Sequence, residues 1–341
     1  MRNLLFVCAA LGATTLAGAQ GPALVVLNKA QASASIISLA DGRTIATMPV
    51  GDGPHEVAIS PNGNWAVAAN YGGRTPGSSL TVLDLRNRRP VRTIDLGSYA
   101  RPHGIAFMPD GKRVVVTSEQ ARALVIVDVP NGKIDRAIQT GQPGHLMTLA
   151  KDGKHAWTAN IATGSVSYVD LDNGTVVKTV VTGTGPEGHD VSPNGHELWA
   201  ADRTLNRITV LDATTLDSLA TIPTGEFPNR LHFTPDGRWV LVSNIRSGTV
   251  DVIDAAARRT VDHITFAFDS TKVSPTVLGS MGRTPQPEGI LISPDGKTAW
   301  IALSAMNQLA EVDLATRRVR RYLTTGQEPD GMGYVAALPE R

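Results

Sequence analysis

The stretch GDGPHEVAISPNG, at residues 51–63, recurs throughout the chain and decides its fold. Its other copies are YARPHGIAFMPDG (99–111), TGQPGHLMTLAKDG (140–153), GTGPEGHDVSPNG (183–195), GEFPNRLHFTPDG (225–237), RTPQPEGILISPDG (283–296) and the truncated GQEPDGMGYVAAL (326–338). Aligned on the proline, which Gly144 replaces in the third copy, the copies start at 54, 102, 144, 186, 228, 287 and 329, and four of the six intervals are 42 residues. A sustained period of this length indicates a repeat architecture.

One copy is enough to predict the unit of that repeat. From Gly144 onward, the runs HLMTLA, HAWTAN, SVSYVD and VVKTVVT are rich in β-formers, and turn residues such as Asp152-Gly153 and Asn173-Gly174 separate them. Asp-Gly and Asn-Gly pairs adopt the left-handed backbone that tight hairpins need. The pattern predicts a meander of four antiparallel strands, which must stack against its neighbours to bury both faces.

The two ends of the chain predict how the repeats close. The last copy supplies a single strand, at 329–338, and the start of the chain supplies three more, within 22–50. Six whole copies, starting near the positions given above, and this composite make seven blades. We therefore predict an all-β, seven-bladed β-propeller that forms one domain over residues 20–341, closed by N- and C-terminal strands that share one blade.

The repeat resembles that of the YVTN-repeat propeller family of secreted and periplasmic bacterial proteins. The segments PHGIAFMPDGKRVVVTSE (102–119) and ALVIVDVPNGKIDRAIQTG (123–141) match its pattern across a whole repeat. The resemblance implies the propeller fold and export from the cytoplasm. It implies little about function, because relatives by architecture include lactonases, copper reductases and haem-binding propellers.

The composition and the N-terminal segment indicate the cellular compartment of the protein and exclude some classes of partner. Residues 1–19 read as a cleaved signal peptide, with an apolar run and a small-residue cleavage site, so we expect a periplasmic or secreted protein. Cys8 is the sole cysteine and lies in that segment, which leaves no disulfide or thiolate chemistry for the mature chain. The net charge is +1 with charges interspersed, so neither nucleic acid nor an anionic membrane surface is indicated. We expect no membrane span, and a monomer.

Two residue columns of the repeat are interpreted as structural. The aspartate that ends the third strand of every whole copy, with Ser38 in its place in the composite blade, should accept hydrogen bonds from turn amides. Its members are Asp84, Asp128, Asp170, Asp212, Asp254 and Asp313. The tryptophans of the second strands are expected to pack between blades, and they are Trp65, Trp157, Trp199, Trp239 and Trp300.

The position after the aligned proline differs from blade to blade and is polar throughout. It holds His55, His103, His145, Glu187, Asn229, Glu288 and Asp330. Innermost strands line the axial channel of a propeller, so these side chains should meet at one mouth of the channel. His55, His103, His145 and Glu187 are candidate ligands for Zn²⁺, Cu²⁺ or Fe²⁺, since neutral imidazoles and carboxylates suit those ions.

Three further residues, with Glu187 again, complete the possible metal site. A plainer interpretation is also open. Glu187 and Glu288 are the candidates for a catalytic base, and His189 and His232 are candidates for supporting the ligands. Alternatively, the polar ring only surrounds a water-filled channel, or the histidines bond neighbouring loops.

The loops at the same mouth supply candidates for a ligand-binding rim. The rim candidates are Asp330, Asn229, Glu119, Arg203, Arg246, Tyr71 and Arg74. Two loops there, at 70–78 and 263–285, are longer than their counterparts in other copies. Long loops in a regular repeat are often lids or partner contacts, and surface variation explains them equally well.

The sequence favours one function and leaves a second open. The first is a non-enzymatic module that binds a small molecule or a protein through the channel mouth and the long loops. The alternative is a metal-dependent enzyme, either a lactone or ester hydrolase or a copper-type oxidoreductase, with the His/Glu ring as its centre. A haem-linked redox role is the weakest, because the chain has no Cys-x-x-Cys-His motif.

Overall fold

A computed structural model describes residues 21–271, 273, 276 and 279–340. Within these residues the chain forms seven sheets, each of four antiparallel strands, with four single-turn 3-10 helices. This confirms the predicted all-β, seven-bladed propeller. The predicted signal peptide lies outside the described residues. In the described part, no helix has both the length and the apolar character that crossing a membrane requires.

The strand bounds follow the repeat closely. The composite blade contains β1 (Ala23–Asn28), β2 (Ser33–Ser38) and β3 (Thr44–Pro49). The next three blades are β4 (Pro54–Ile59), β5 (Trp65–Gly72), β6 (Pro76–Asp84) and β7 (Arg89–Asp95); β8 (Pro102–Phe107), β9 (Arg113–Ser118), β10 (Ala123–Asp128) and β11 (Lys133–Gln139); and β12 (Leu146–Leu149), β13 (His155–Asn160), β14 (Ser165–Asp170) and β15 (Thr175–Val181). The last three are β16 (Pro186–Val191), β17 (Glu197–Asp202), β18 (Arg207–Asp212) and β19 (Ser218–Pro223); β20 (Pro228–Phe233), β21 (Trp239–Asn244), β22 (Thr249–Asp254) and β23 (Arg259–Ile264); and β24 (Pro287–Ile292), β25 (Thr298–Leu303), β26 (Gln308–Asp313) and β27 (Arg318–Thr324).

The ring closes through the final strand, β28 (Pro329–Val335), which completes the composite blade. It pairs antiparallel with β1, so that Val25 lies opposite Gly333 and Ala23 opposite Val335. The sheet order is β28-β1-β2-β3, as the sequence predicts. The first and last strands of the propeller therefore hold each other through backbone hydrogen bonds.

The hydrophobic core is divided among the blade interfaces. Each cluster joins the facing sides of neighbouring sheets; one, for example, combines Val25 and Ile36 of the composite blade with Val57 and Ala68 of the next. Because each sheet is covered on both faces, its central strands are buried along almost their whole length and are rich in Val and Leu, as β1 and β9 illustrate. Burial of these residues between blades is what holds the meanders in a ring.

The tryptophan prediction is confirmed for four of its five members, since Trp239 also packs against the cluster between its own blade and the next. Trp157 donates its indole N–H to the carbonyl oxygen of Ala213 in the next blade, at 2.7 Å. Trp199 packs edge-on against Phe233, at 5.3 Å, and Trp300 stacks on Tyr334, at 6.0 Å. Trp65 and Trp239 occupy an earlier position of the second strand and are not fully buried; Trp65 is 36% exposed.

The aspartate column also behaves as predicted. Asp84 accepts a hydrogen bond from the backbone amide three residues later, at 3.0 Å, and Asp128 and Asp170 do the same. Asp212, Asp254 and Asp313 repeat this contact in the later blades. These carboxylates fix the turn between the third and fourth strands, so they are not available for chemistry.

A β-bulge at the same point of the inner strands creates the functional geometry. In β4, Pro54 pairs with Asn70, whereas the next paired residue, Val57, lies opposite Ala68. Similar shifts follow the proline in β8, β16, β20 and β24. A bulge takes residues out of the ladder and redirects their side chains. Here the released residues include the polar position after the proline.

Candidate functional site

The polar position of the inner strands converges on the channel axis, with contacts from blade to blade. The ring centroids of His55 and His103 are 4.8 Å apart, and those of His103 and His145 are 3.8 Å apart. His145 Nε2 lies 3.7 Å from Glu187 Oε1, which also accepts a hydrogen bond from Asn229 Nδ2 at 2.8 Å. Five consecutive blades thus contribute to one continuous line of polar side chains.

A lysine from outside this column joins the two remaining members. Lys29 follows β1 in the turn that faces the same end of the channel. Its Nζ lies 2.5 Å from Glu288 Oε2 and 3.4 Å from Asp330 Oδ2, and all three side chains are buried. The ammonium group compensates two carboxylates that burial alone would leave unfavourable.

Arg230 closes the channel beneath this ring. Its Nε and Nη2 donate to Glu56 Oε1, at 3.1 and 2.8 Å, and its Nη1 contacts Glu187 Oε1 at 3.3 Å and Asn229 Oδ1 at 3.0 Å. The side chain is only 7% exposed. Glu56 is on β4 and Arg230 on β20, three blades apart, which is the greatest separation in a seven-membered ring. The ion pair must therefore cross the channel.

A chain of hydrogen bonds connects the ring to the rim. The Tyr71 hydroxyl donates to Glu119 Oε2 at 2.7 Å, and the other Glu119 oxygen pairs with His145 Nδ1. Arg203 Nη1 donates to Glu187 Oε2 at 2.8 Å. The chain runs from Tyr71 through Glu119, His145 and Glu187 to Arg203. Each member holds its neighbour in place.

Tyr71 reaches the ring because the β5–β6 hairpin is longer than its counterparts. β5 continues to Gly72, and Tyr71 lies in the added part. Its ring centroid is 4.7 Å from that of His55 and 5.2 Å from that of His103. The Arg101 guanidinium lies over the Tyr71 ring, 4.6 Å from its centroid. The extended hairpin therefore covers the histidines from above.

Protonation separates the three histidines. The pKa of His55 is lowered to about 4, by burial first and by the nearby Lys29 charge second. Burial also lowers the pKa of His103 well below the usual range. At His145 burial is again the largest effect, but the hydrogen bonds and charges of Glu119 and Glu187 outweigh it and raise the pKa to about 9. At neutral pH two uncharged imidazoles therefore lie beside one imidazolium, with their rings tilted against each other.

The acidic members are shifted in opposite directions. Burial raises the pKa of Glu288 to about 7, helped by the charge of Asp330 and opposed by Lys29. The pKa of Glu187 is lowered despite burial, because His145, Arg203 and Arg230 stabilise its charged form. Of the two candidate bases, Glu187 is a fully compensated carboxylate, and Glu288 is the one poised to exchange a proton near neutrality.

The structure does not assemble the predicted metal ligands into a centre. Among the residues it describes, no group of three or more His, Cys, Asp or Glu side chains has the arrangement to hold a metal ion. His145 has a carboxylate at each ring nitrogen, and His55 Nδ1 lies 2.8 Å from the carbonyl oxygen of Gly53. His103 Nδ1 is buried without a hydrogen-bond partner. Metal binding by this ring stays a prediction.

The rim candidates fall into two layers. Arg74 and Arg246 are exposed and Tyr71, Glu119 and Arg203 are half-buried, so these five border the mouth. Asn229 and Asp330 were expected on the rim, but they are 5% and 1% exposed and lie below it. The inward bulge of their strands explains the difference. The neighbouring carboxylates and cations solvate them in place of water.

The guanidinium groups of Arg203 and Arg246 flank one aromatic ring at the mouth. Their centres lie 5.4 and 5.5 Å from the centroid of Phe227. Phe227 has a left-handed backbone, with φ of 60°, immediately before the aligned proline. A left-handed backbone is costly for a bulky residue. The turn before the aligned proline imposes it, since Arg101, Gln286 and Glu328 adopt the same conformation in their own copies.

His189 and His232 do not support the histidine ring. His189 Nε2 contacts the carbonyl oxygen of Trp157 at 3.0 Å, and His232 Nδ1 lies 3.4 Å from Asp190 Oδ2. Both line a cavity of about 310 Å³ that is formed by later residues of the inner strands, beyond Arg230. Two and three residues of extended backbone carry them past the plug, away from the ring.

The second long loop, at 263–285, is described only in part. The backbone amide of Ala267 donates to the Tyr322 hydroxyl at 2.8 Å, and Thr284 Oγ1 donates to the carbonyl oxygen of Ile245 at 2.7 Å. These contacts fix the loop's two ends to the last two whole blades. A role as a lid or a partner contact stays a prediction.

Sequence reasoning missed Glu56, Arg230 and Lys29, although two of them leave a signal. The second position after the proline is glycine in four copies: Gly104, Gly188, Gly289 and Gly331. A Cβ at Gly188 would lie 2.3 Å from Asn229 O, and one at Gly289 would lie 2.2 Å from Asp330 O, so close packing of the inner strands requires glycine there. Glu56 and Arg230 break this pattern, and a charged residue in a glycine column is unusual enough to mark a site.

Replacing Arg230 should show how strongly the plug supports the fold. In Arg230→Met, Glu56, Glu187 and Asp330 lose their shared cation inside the channel, and we expect the free energy of unfolding to fall by about 3–5 kcal/mol. Urea denaturation followed by circular dichroism measures it. Arg113→Met is the matched control, since Arg113 pairs with Asp110 and Asp135 but is 39% exposed and should cost less than about 1 kcal/mol. Equal losses in both variants would contradict the assignment.

The stability of the fold should also depend on the proton of His145. Its pKa of about 9 lies above the ordinary value of 6.5, so the folded state holds this proton more tightly than the unfolded state. The stabilisation is complete below about pH 6.5 and is lost as the pH rises through 9. We expect the wild-type free energy of unfolding to drop by up to about 3 kcal/mol between pH 7 and 9.5. In His145→Gln this drop should largely disappear, whereas His155→Gln should retain it; parallel curves for all three proteins would refute the idea.

Comparison with known proteins supports the propeller fold and does not assign a function. The model of the family described as "Choice-of-anchor I domain" matches residues 200–329. No curated protein sequence matches the chain. The resemblance to YVTN repeats therefore remains a prediction from the sequence.

Three solved structures illustrate the shared architecture. Hydrazine synthase from Kuenenia stuttgartiensis superposes with a TM-score of 0.72 at 17% identity, covering 91% of this chain and 99% of that one. A functionally unknown protein from Desulfotomaculum acetoxidans gives a TM-score of 0.75 at 14% identity, covering 92% and 99%. The dihydro-heme d1 dehydrogenase NirN, in complex with DHE, gives 0.68 at 14% identity, covering 92% and 75%. Two of these neighbours are enzymes, and identities this low show the fold alone.

Proposed function

We propose that this protein is a binding module that recognises an anionic ligand, either a small molecule or an acidic segment of a protein, at the face where the inner strands begin. The observation that carries the proposal is the commitment of every acid–base group in the line from Tyr71 to Arg203. These groups are paired with one another, so they are better suited to holding a surface rigid than to transferring protons.

Charge at this face supports an anionic ligand. The loops that border the mouth carry the exposed or half-buried Arg74, Arg101, Arg122, Arg203, Arg246 and Arg283. The acidic residues of these loops that are exposed or half-buried include Asp52, Glu119, Glu226 and Asp269. The excess of arginine favours carboxylate or phosphate, which a guanidinium group binds with two parallel hydrogen bonds.

The placement of two arginines strengthens this argument. Arg203 and Arg246 rest on the face of Phe227, and an aromatic face orients a guanidinium group without using its hydrogen-bond donors. Among the residues that the structure describes, Glu187 takes one Arg203 nitrogen, and no acceptor hydrogen-bonds Arg246. The remaining donors of both side chains could serve a ligand at the mouth.

Export of the protein is part of the same proposal. The apolar leader pattern of residues 1–19 and the absence of cysteine from the rest of the sequence suit a periplasmic or secreted protein. A module of this kind would meet its ligand outside the cytoplasm.

Binding of an acidic probe should depend on the rim arginines. We expect a fluorescein-labelled peptide of alternating Asp and Glu, or citrate as a small probe, to bind the wild type and to be weakened at least about tenfold in Arg246→Glu. Fluorescence anisotropy and calorimetry at two salt concentrations measure this. Arg43→Glu is the control, because Arg43 is fully exposed in a turn at the opposite face. Equal affinity for the two variants, or no binding of either probe, would overturn the proposal.

A metal-dependent enzyme is the second candidate, and one observation favours it. His55 and His103 are uncharged neighbours, and His103 keeps a buried ring nitrogen without a partner. An uncharged imidazole with a free nitrogen is the form that binds Zn²⁺, Cu²⁺ or Fe²⁺. Ester hydrolysis or copper redox chemistry would then be the reactions to assay.

Elemental analysis separates the two candidates. Protein purified without chelator or affinity tag should contain less than about 0.1 equivalent of these metals if the binding module is correct. About one equivalent in the wild type, lost in His103→Ala and retained in His196→Ala, would establish the metal-dependent alternative instead.

A further inference from the structure

The cavity that His189 and His232 line, at the end of the channel away from the rim, differs from the rim in its polar groups. It has a volume of about 310 Å³ and is separated from the rim by Arg230. Its wall is partly apolar, with contributions from Ile105, Leu146, Met147, Leu231, Ile290 and Met332, and partly polar, through Glu56, Thr148, His189, Arg230 and His232. The size is at the lower end of the range for small-molecule sites.

The polar groups of this cavity are almost all committed to the protein. Arg230 uses Nε, Nη1 and Nη2 on Glu56, Glu187 and Asn229. His189 bonds the carbonyl oxygen of Trp157, and Thr148 Oγ1 donates to the carbonyl oxygen of His189. Within the described residues, the donors of these three groups are therefore taken; His232, also on the wall, contacts Asp190 Oδ2 through Nδ1 at 3.4 Å and is 42% exposed.

Glu56 is the exception. Both of its bonds from Arg230 end on Oε1, and in the part of the chain that the structure describes no donor hydrogen-bonds Oε2. The side chain lines the cavity and is 21% exposed. We propose that this cavity is a binding site for a small hydrophobic amine, whose ammonium group pairs with Glu56 Oε2 while its apolar body fills the space between the inner strands.

The surrounding charges favour a cation over an anion. Arg230 lies within 3.6 Å of three carboxylates, those of Glu56, Glu187 and Asp330, so its charge is more than neutralised. Glu288 and Asp330 are paired with Lys29, so the described cations of the channel are already shared among carboxylates. A positive ligand charge would pair with the oxygen of Glu56 that Arg230 leaves open, and a negative one would be repelled by the carboxylates around Arg230.

The shape of the cavity restricts the body of the amine. Gly104, Gly188, Gly289 and Gly331 line it with backbone alone, and all four packing neighbours are too close for a Cβ. Since the glycines have no side chains, the aliphatic residues further along the strands determine the width of the cavity. One ring or a short alkyl chain fits such a volume, with the charge at one end.

Calorimetry with three isosteric probes tests the ligand class. At pH 7 we expect phenethylamine to bind, and 2-phenylethanol and 3-phenylpropanoate to bind at least about tenfold more weakly, since one ion pair in a partly buried site is worth that factor. Equal affinity for the three probes, or tighter binding of the acid, would overturn the proposal, as would failure of phenethylamine to bind.

Two variants place the amine in the cavity. Glu56→Gln keeps an acceptor for Arg230 but removes the charge, and we expect the affinity for phenethylamine to fall at least about tenfold, with Glu226→Gln as the exposed control. Met147→Trp fills the cavity and should abolish binding, whereas Met281→Trp, on a 3-10 turn outside it, should not. If Glu56→Gln fails to fold, the Met147→Trp pair still decides the outcome.

The result is independent of the function proposed for the other face. Arg246→Glu should leave the affinity for phenethylamine unchanged, because Arg246 lies at the opposite end of the channel. A loss of amine binding in Arg246→Glu, or retention in Met147→Trp, would show that the amine does not occupy this cavity.

Discussion

Pairing of β28 with β1 is the constraint on which the rest of the molecule depends. Backbone hydrogen bonds between the two ends of the chain turn seven separate meanders into a closed ring. Once the ring is closed, the seven inner strands have a fixed distance from the axis, and the side chains released by their bulges have no direction in which to go except towards one another. The buried polar cluster is thus a consequence of closure as well as of sequence.

Opposite charges from different blades compensate one another within that cluster. Lys29 lies between Glu288 and Asp330, and Arg230 lies between Glu56 and Glu187. Taking an ion out of water is costly, and pairing with good geometry restores only part of the cost. A protein whose blades are already held by apolar interfaces can tolerate such a centre. The apolar clusters between blades supply the stability, and the charged centre fills the middle of the channel.

The fold could be predicted almost completely from sequence, because a repeat presents the same evidence several times. The strands HAWTAN and SVSYVD, for example, begin and end where their turn residues indicate. Departures are small and local: the predicted strand at 145–150 shortens to Leu146–Leu149, in the one copy that has Gly144 in place of the proline. Periodicity works here because each strand satisfies the same packing environment in every blade.

The site was predictable in position and less so in chemistry. Alignment of the repeats was enough to find the ring from His55 to Asp330, since all its members share one column. It could not show that Lys29 enters the ring from a turn, because that contact joins residues 259 positions apart. Nor could it show that Glu56 and Arg230 meet, since pairing across an axis depends on the three-dimensional separation of blades and leaves no local pattern.

The shared guanidinium of Arg230 has a thermodynamic consequence for the two ends of the channel. Glu187 faces the rim and Glu56 faces the inner cavity, and both draw on the same cation. A change in the charge of either carboxylate therefore alters the electrostatic free energy of the other, without any movement of the backbone. Such coupling is reciprocal: a ligand that pairs with Glu56 would change the affinity of a ligand that pairs with Glu187 by the same factor as the second changes the first. The rigid propeller would then couple ligand binding at its two faces through electrostatics alone.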